Sequence, residues 1–490
     1  MQTDPKSTAG SKDDHRLTLL QINDTHGYLE PHPELVWSQD GPEFPLLGGF
    51  ARIKTLFDTV RAEGGAVLAF DNGDTFHGTY AAVTTEGEGL LPTINGLGLA
   101  AMTGHWDFAW GPAHVQDLAA ALHHPFLAAN CTAISDGSRP FPATLMCMAG
   151  GLKVGVIGIA ATILDKTMPP SFAEGMRFTD GIEETRAEAA RLRADGADLV
   201  VVLSHLGYPQ DVALAGMVDG IDVILSGHTH NRVEVPAQVN GALLIQSGCH
   251  GSYVGRLDLQ VEGGRVAGFR HRLIPVDDSI APDPTMQELV EAAMASTRPL
   301  QAQIVGRTEV ALHRATSLDA PMDDALLAAT ALAAGTEIAF SNGWRYGAPI
   351  PAGPVTLNDL WNIVPTNPPV STVDLMGAEI ISMLEANLES TFSADPFGQR
   401  GGFVKRFRGL TVNAKLENPK GNRIEQVFTR NGRIDPAAIY PVAFITAQGI
   451  PASMGSQRRD LEISAIAALQ AWFSDPANAV QPGLGRVRIV

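Results

Sequence analysis

Short apolar runs that stop abruptly at polar residues set the rhythm of this chain. Leu17–Ile22 gives way to Asn23-Asp24-Thr25-His26, and Ala66–Phe70 to Asp71-Asn72-Gly73-Asp74. Leu199–Leu203 gives way to Ser204-His205, and Val223–Leu225 to Ser226-Gly227-His228-Thr229-His230. Runs this short, rich in Val, Ile and Leu and without alternation, predict buried strands. Between them, Gly49–Ala62 and Ile182–Ala194 carry apolar residues at helical spacing. The alternation predicts α/β layers. Polar clusters just past strand ends lie where open α/β sheets place their sites, so loops far apart in sequence converge on one rim.

The strand pattern continues in Leu152–Ala160, which carries no ligand-type residue at its end. Ala242–Gly248 and Gly255–Val276 predict an antiparallel region with Gly263-Gly264 at its turn, which closes a first domain near residue 280. Ala281-Pro282-Asp283-Pro284 marks a boundary, and Met286–Ser296 predicts a helix within a linker over 281–300. From 301 to 490, helices at Asp324–Ala334 and Ala378–Leu388 alternate with strands at Glu337–Phe340, Val370–Asp374, Leu410–Val412 and Ala443–Thr446. This predicts a second α/β or α+β domain.

Composition narrows the class. A chain of 490 residues exceeds one core and predicts two domains or more. The formal net charge of −18 repels polyanions in bulk, arguing against a nucleic-acid polymer or anionic membrane as partner. A local cationic pocket for a small anionic substrate remains compatible with it. Three cysteines give neither a disulfide framework nor thiolate-zinc spacing. No apolar run reaches the roughly 18 residues of a membrane span. Residues 1–16 are polar throughout, predicting a disordered leader without a secretory signal. The compartment is then cytoplasmic at face value, and periplasmic if an export signal preceded this numbering. The chain predicts a monomer or homodimer.

Seven residues form the candidate metal set: Asp24, His26, Asp74, His105, His205, His228 and His230. Carboxylates with imidazoles and no sulfur suit two divalent cations. Asp24-x-His26 and His228-x-His230 are i, i+2 pairs, and Asp74 can bridge two ions roughly 3.5–4 Å apart. His77, His250 and Asp71 are nearby extras, whereas His114, His123 and His124 read as surface or core positions.

On these residues the chain resembles the 5′-nucleotidase family of calcineurin-like metallophosphoesterases, nearly end to end. The D-x-H, G-D, S-H and G-H-T-H blocks correspond to Asp24/His26, Gly73-Asp74, Ser204-His205 and Gly227–His230. Asn342–Gly347, Ile350–Pro365 and the helix after Met376–Glu379 resemble the substrate-domain core. The resemblance implies a four-layer metallophosphatase sandwich domain followed by a smaller α/β C-terminal domain, with the active site between them. Typical members carry G-N-H-E-F-D where this chain has Gly104-His105-Trp106-Asp107-Phe108-Ala109. His105 can replace the ligand Asn. The His and Asp that normally stabilise the leaving group become Trp106 and Ala109, neither of which can protonate an alkoxide.

Gly104–Gly111, Trp344–Gly347, Asp395–Gly402 and Phe269–Val276 are more similar to the SoxB-type thiosulfohydrolase branch of bacterial sulfur oxidation. That similarity implies a dinuclear manganese hydrolase using a metal-bound hydroxide. It would release sulfate from a cysteine-bound thiosulfonate on a carrier protein. A sulfur leaving group needs little acid assistance, which accords with the missing dyad. His105, Trp106, Asp107 and Arg345 are the candidates for catalysis. Arg345, Trp344, Phe403 and Arg400 are the candidates for substrate binding. Phe403 also matches one half of a nucleotide-base clamp, whose second aromatic is missing from Gln448–Gln457. A nucleotide phosphohydrolase is therefore the alternative, and a non-catalytic protein holding metal and anion the second alternative. Arg400, Lys405, Arg406 and Arg408 read either as a solvated basic loop or as an entrance for anions.

Overall fold

The computed structural model describes residues 14–480 and 485–490. Its first half runs β1 (Asp14–Ile22), α1 (Phe50–Ala62), β2 (Ala66–Asp71), β3 (Ala101–Met102), β4 (Thr144–Ala149), β5 (Leu152–Ile159), α2 (Ile182–Ala194), β6 (Leu199–Ser204), α3 (Tyr208–Met217), β7 (Val223–Leu225), β8 (Ala237–Val239), β9 (Ala242–Ile245), β10 (Tyr253–Glu262) and β11 (Arg265–Pro275). Residues 1–13 of the expected leader lie outside the described part. Asp14–Arg16, expected in that leader, instead open β1 and pair with Glu262–Gln260 of β10.

Two mixed sheets stack face to face. One has the order β11-β10-β1-β2-β3, the other β8-β9-β7-β6-β5-β4. Leu17, Leu19 and Phe70 of the first meet Val156, Val201, Leu203 and Leu225 of the second in a fully buried layer. Leu20 and Ile22 face the other way, toward Phe50, Ile53 and Phe57 of α1. Val200, Val202 and Ile224 pack under α2 and α3. Strands covered on both faces explain the unbroken apolar runs. The result is helix, sheet, sheet, helix.

The helix expected inside the linker is α4 (Pro284–Met294). Asp283 caps it by accepting from the Met286 amide, and Met286, Val290 and Met294 are buried, with α4 packing on α1. The second half holds α5 (Pro321–Ala334), β12 (Ile338–Ser341), α6 (Leu357–Ile363), β13 (Pro369–Met376), α7 (Gly377–Phe392), β14 (Arg406–Arg408), β15 (Ile439–Ile445), β16 (Ser456–Ser464) and α8 (Ala465–Ser474). Its main sheet has the order β14-β12-β15-β13-β16, with α5 and α8 on one face and α7 on the other. α5 starts three residues before the expected Asp324, because Pro321 suits the first turn and Asp323 and Asp324 complement its dipole.

No helix among the described residues is long and apolar enough to cross a membrane. All three cysteines are free.

Candidate metal centre and cleft

The seven candidate ligands converge in two groups that share Asp74. Asp24, His26, Asp74 and His230 make one, and Asp74, His105, His205 and His228 the other. Within each group one potential ligand atom per residue lies within 4.8 Å of the rest. Asp74 uses both oxygens: Oδ2 stands 3.6 Å from His26 Nε2 and 3.4 Å from His205 Nε2, and Oδ1 3.3 Å from His105 Nδ1. Asp24 Oδ1 is 3.3 Å from His230 Nε2 and 3.7 Å from His205 Nε2.

These side chains are aimed by strained turns at the strand ends. Asp24, His26, Asp74, His228 and His230 all have φ between 50° and 73°, a left-handed conformation that non-glycine residues adopt only when their surroundings impose it. The surroundings here are hydrogen bonds. The Asp24 amide donates to Gly73 O at 2.9 Å and the His26 amide to Asp74 O at 2.7 Å. Asn72 Nδ2 donates to Ser204 O and Leu225 O, and its Oδ1 accepts from Gln21 Nε2, tying four strand ends together. His205 Nδ1 meets Asn72 O at 2.6 Å, which turns Nε2 toward the carboxylates.

The donor set fits two divalent cations. Among the described residues, His105 Nδ1 and Nε2 and His205 Nε2 are buried without a contact of hydrogen-bond geometry, and His26 Nε2 faces His230 Nε2 at 3.3 Å. Buried polar atoms are seldom left so, and a shared cation accounts for their convergence. The carboxylates make this a place that draws positive charge, whether a proton or a metal ion. Burial opposes ionisation of Asp74, yet His205 and His105 hold its carboxyl well below the usual range. Burial would depress His205, but Asp74 and Asp24 raise it to about 10.

Between the domains lies a cavity of about 600 Å³, lined on the metal side by His26, Asp74, His105, Trp106, His228 and His230. Trp106 stacks on His77 with centroids 4.4 Å apart and meets Tyr346 at 5.5 Å, and its amide donates to Asp74 Oδ1 at 2.6 Å. Across the cleft, Trp344, Arg345, Phe403 and Arg400 all line the cavity.

Two of the residues expected to serve catalysis are tied up by main-chain partners. Asp107 is fully buried and accepts from the amides of Asp74, Thr75, Phe76 and His105. It shapes the ligand loop and does not line the cavity. Arg345 lines it, but Nη1 and Nη2 donate to His228 O at 3.2 Å and Gly402 O at 3.0 Å, leaving Nε without a partner. Arg345 thus clasps the two domains. The basic cluster also divides: Arg400 and Arg408 are exposed, whereas Lys405 and Arg406 are buried, the latter paired with Asp323 at 2.9 Å.

Three features were not assembled from the sequence, although His250 was named there as a nearby extra. Tyr346 carries a buried hydroxyl without a partner, its ring 5.4 Å from that of His26. Gln448 reaches across the cleft, with Nε2 donating to Thr167 O and Oε1 facing Trp344 Nε1. His32, Glu34 and His250 cluster behind the first ligand group, where Glu34 also accepts from Arg232 and Ser252. Pairing across such distances leaves no local periodicity to read.

The calcineurin-like phosphoesterase family model matches residues 17–232, and the model of the 5′-nucleotidase C-terminal domain matches residues 300–447. The structure is similar to Thermus thermophilus sulfate thiohydrolase SoxB (TM-score 0.88, 25% identity, 99% of this chain and 98% of that one). It is also similar to a 5′-nucleotidase precursor of the same organism (TM-score 0.84, 26% identity, 97% and 99%). By sequence it is 26% identical to a Vibrio parahaemolyticus 5′-nucleotidase over 89% of this chain and 84% of that one. It is 25% identical to the Bacillus subtilis trifunctional nucleotide phosphoesterase YfkN over 86% of this chain, but spans only 30% of that much longer protein.

Proposed function

Because the chain belongs to the two-domain 5′-nucleotidase family of calcineurin-like phosphoesterases, we propose that its cleft hydrolyses a small anionic ester or thioester-like bond, and that the bond is a cysteine-linked thiosulfonate. The observation that carries this reading is the wall at Trp106. An indole packed between His77 and Phe172 faces the cavity where typical members place a proton-donating His, and Ala109 replaces the Asp behind it. An indole N–H cannot release a proton to an alkoxide. A leaving group that departs as a weakly basic anion of sulfur removes that requirement. The likeness to the Thermus sulfate thiohydrolase supports the same reading.

Asp24, His26, Asp74 and His230 would hold one divalent ion, and Asp74, His105, His205 and His228 the other, with manganese as the proposed metal. Two ions there would supply Lewis-acid polarisation and lower the pKa of a water between them. The chain's own residues do the rest. Trp106 and Tyr346 would wall the centre off from bulk water, Arg345 would turn its guanidinium toward an anionic oxygen, and Phe403 would line the approach. A carrier protein bearing the modified cysteine is the proposed partner.

Phe403 on the cavity wall and the nucleotidase relatives favour a second reading, hydrolysis of a nucleoside monophosphate. One experiment separates them. Manganese-reconstituted protein is offered a cysteine S-thiosulfonate peptide and AMP in parallel, and sulfate and phosphate are followed. Faster sulfate release is expected. Efficient AMP turnover with no sulfate release would replace the first reading by the second.

A further inference from the structure

In the second domain, buried cations meet carboxylates. Arg314 and Arg406 pair with Asp323, Arg423 with Glu389 and Arg486 with Asp324. Two cations on the cleft wall break this pattern. Among the described residues, Arg345 donates only to main-chain carbonyls. Lys405, 6% exposed, does the same: its Nζ donates to Gln448 O at 2.6 Å and Gly449 O at 2.8 Å, and no carboxylate pairs with it among the described residues.

An ammonium carries three donors, so one remains beyond the two carbonyls. Burying a charge without a counter-ion is costly, and two carbonyl dipoles offset only part of that cost. Burial accordingly presses the Lys405 amine down to about 8. The neighbouring backbone holds the stem in place, because the Lys405 amide donates to Asn387 Oδ1 at 2.7 Å. Arg400 and Lys420 add exposed positive charge to the same cavity. A protein of net charge −18 has thus lined one wall with cations that no carboxylate among the described residues matches, since the one acidic group there, Glu389, pairs with Arg423.

We propose that Lys405 forms a second anion subsite in the cleft, which receives a carboxylate on the part of the substrate that is not cleaved. This rests on the cleft being the substrate site. It adds a requirement that the metal centre does not impose: the favoured substrate is anionic at both ends. Lys405 makes no hydrogen bond to any of the seven metal-site donors, so the subsite can be altered separately from them.

The test uses the manganese-loaded full chain and two cysteine S-thiosulfonate peptides, one with a free C-terminal carboxylate and one amidated. A charge-assisted hydrogen bond predicts a KM about tenfold lower for the free acid. Lys405→Met should collapse the ratio toward one, and Lys405→Arg should preserve most of it. Equal KM values for the two peptides, or a ratio that survives Lys405→Met in a variant with the parental Tm, would overturn the subsite. N-acetylcysteine S-thiosulfonate and its amide repeat the comparison with a small acid. A carboxylate preference confined to the peptide assigns the subsite to a chain terminus, and one present in both assigns it to any nearby acid. If neither peptide is turned over, calorimetric titration of the same pair decides. Tighter binding of the acid keeps the subsite while the hydrolase reading falls, and equal binding removes the subsite as well.

Discussion

At the scale of single residues, Asp74 is the point on which the centre turns, since it alone belongs to both ligand groups. Asp74→Ala should take the bound metal from about two ions per chain to less than one, and activity down by roughly 10³-fold, as expected when several kcal/mol of transition-state stabilisation are lost. Elemental analysis beside a turnover assay checks both, and two retained ions would refute the shared-carboxylate reading. Gly401 is a second sensitive position. It has φ 76°, and a Cβ there would collide with His228 Nε2. Gly401→Ala should cost about 1 kcal/mol of stability from the backbone alone. Catalysis should fall about tenfold or more, because His228 is displaced. An unchanged kcat/KM would show that the ring can give way. Six of the seven ligand candidates were legible in the sequence because short apolar runs ended in Asp and His, and His105 because it stands where relatives carry a ligand Asn. The fate of Asp107, Arg345 and Lys405 was not. Each is decided by main-chain partners such as Thr75, His228 and Gln448, and a backbone amide or carbonyl has no letter in a sequence.

Between residues and domains, the elements are held in register by polar side chains that act as ties. Asn72→Ala would leave the buried carbonyls of Ser204 and Leu225 and the Gln21 amide short of partners, at a cost of about 2–3 kcal/mol. Urea denaturation measures this, and a shift below about 0.5 kcal/mol would mean that β2, β6 and β7 are fixed by packing alone. Glu34 ties the His32–Pro33 segment to the loop after β9. Burial opposes its ionisation, yet His250 and Arg232 hold its carboxyl down at about 2. A depressed folded pKa contributes stability that is present above the unfolded value, near 4.5, and is lost as pH falls through about 2. The amount is about 3 kcal/mol. Urea midpoints at pH 5 and pH 2.5 should therefore fall more steeply for the parent than for Glu34→Gln; parallel falls would contradict the assignment. Strand and helix types were readable here from periodicity, with ends displaced by a few residues where a proline or acidic first turn set the start, as at Pro321.

For the whole molecule, the decisive fact is that one apolar core runs through both halves. Leu20, Phe57 and Trp106 of the first half belong to the same buried cluster as Val305, Tyr346, Leu360 and Trp472 of the second. The Tyr28 hydroxyl accepts from the Ala348 amide at 2.8 Å, and Gln210 Nε2 donates to Gln399 O at 3.1 Å. Calorimetry should accordingly give one cooperative thermal transition, and two resolved peaks would show that the halves melt separately. The ligand candidates and Arg345 belong to different domains, which motivates a hinge over 281–300, but α4 is packed on α1. Paired structures with and without ligand would decide whether closure occurs there. Composition could signal two domains, but not how much core they share, because that depends on residues three hundred positions apart.

The left-handed turns that carry five of the seven ligand candidates have one further implication. Scaffold hydrogen bonds hold them, so the receptacle is built by the protein and not by its cargo. Emptying it with a chelator should leave a folded, refillable shell, and refilling it with cobalt, zinc or manganese should be a matter of exchange and not of refolding. Which ion the protein carries would then be decided by what its surroundings supply on the day it is filled.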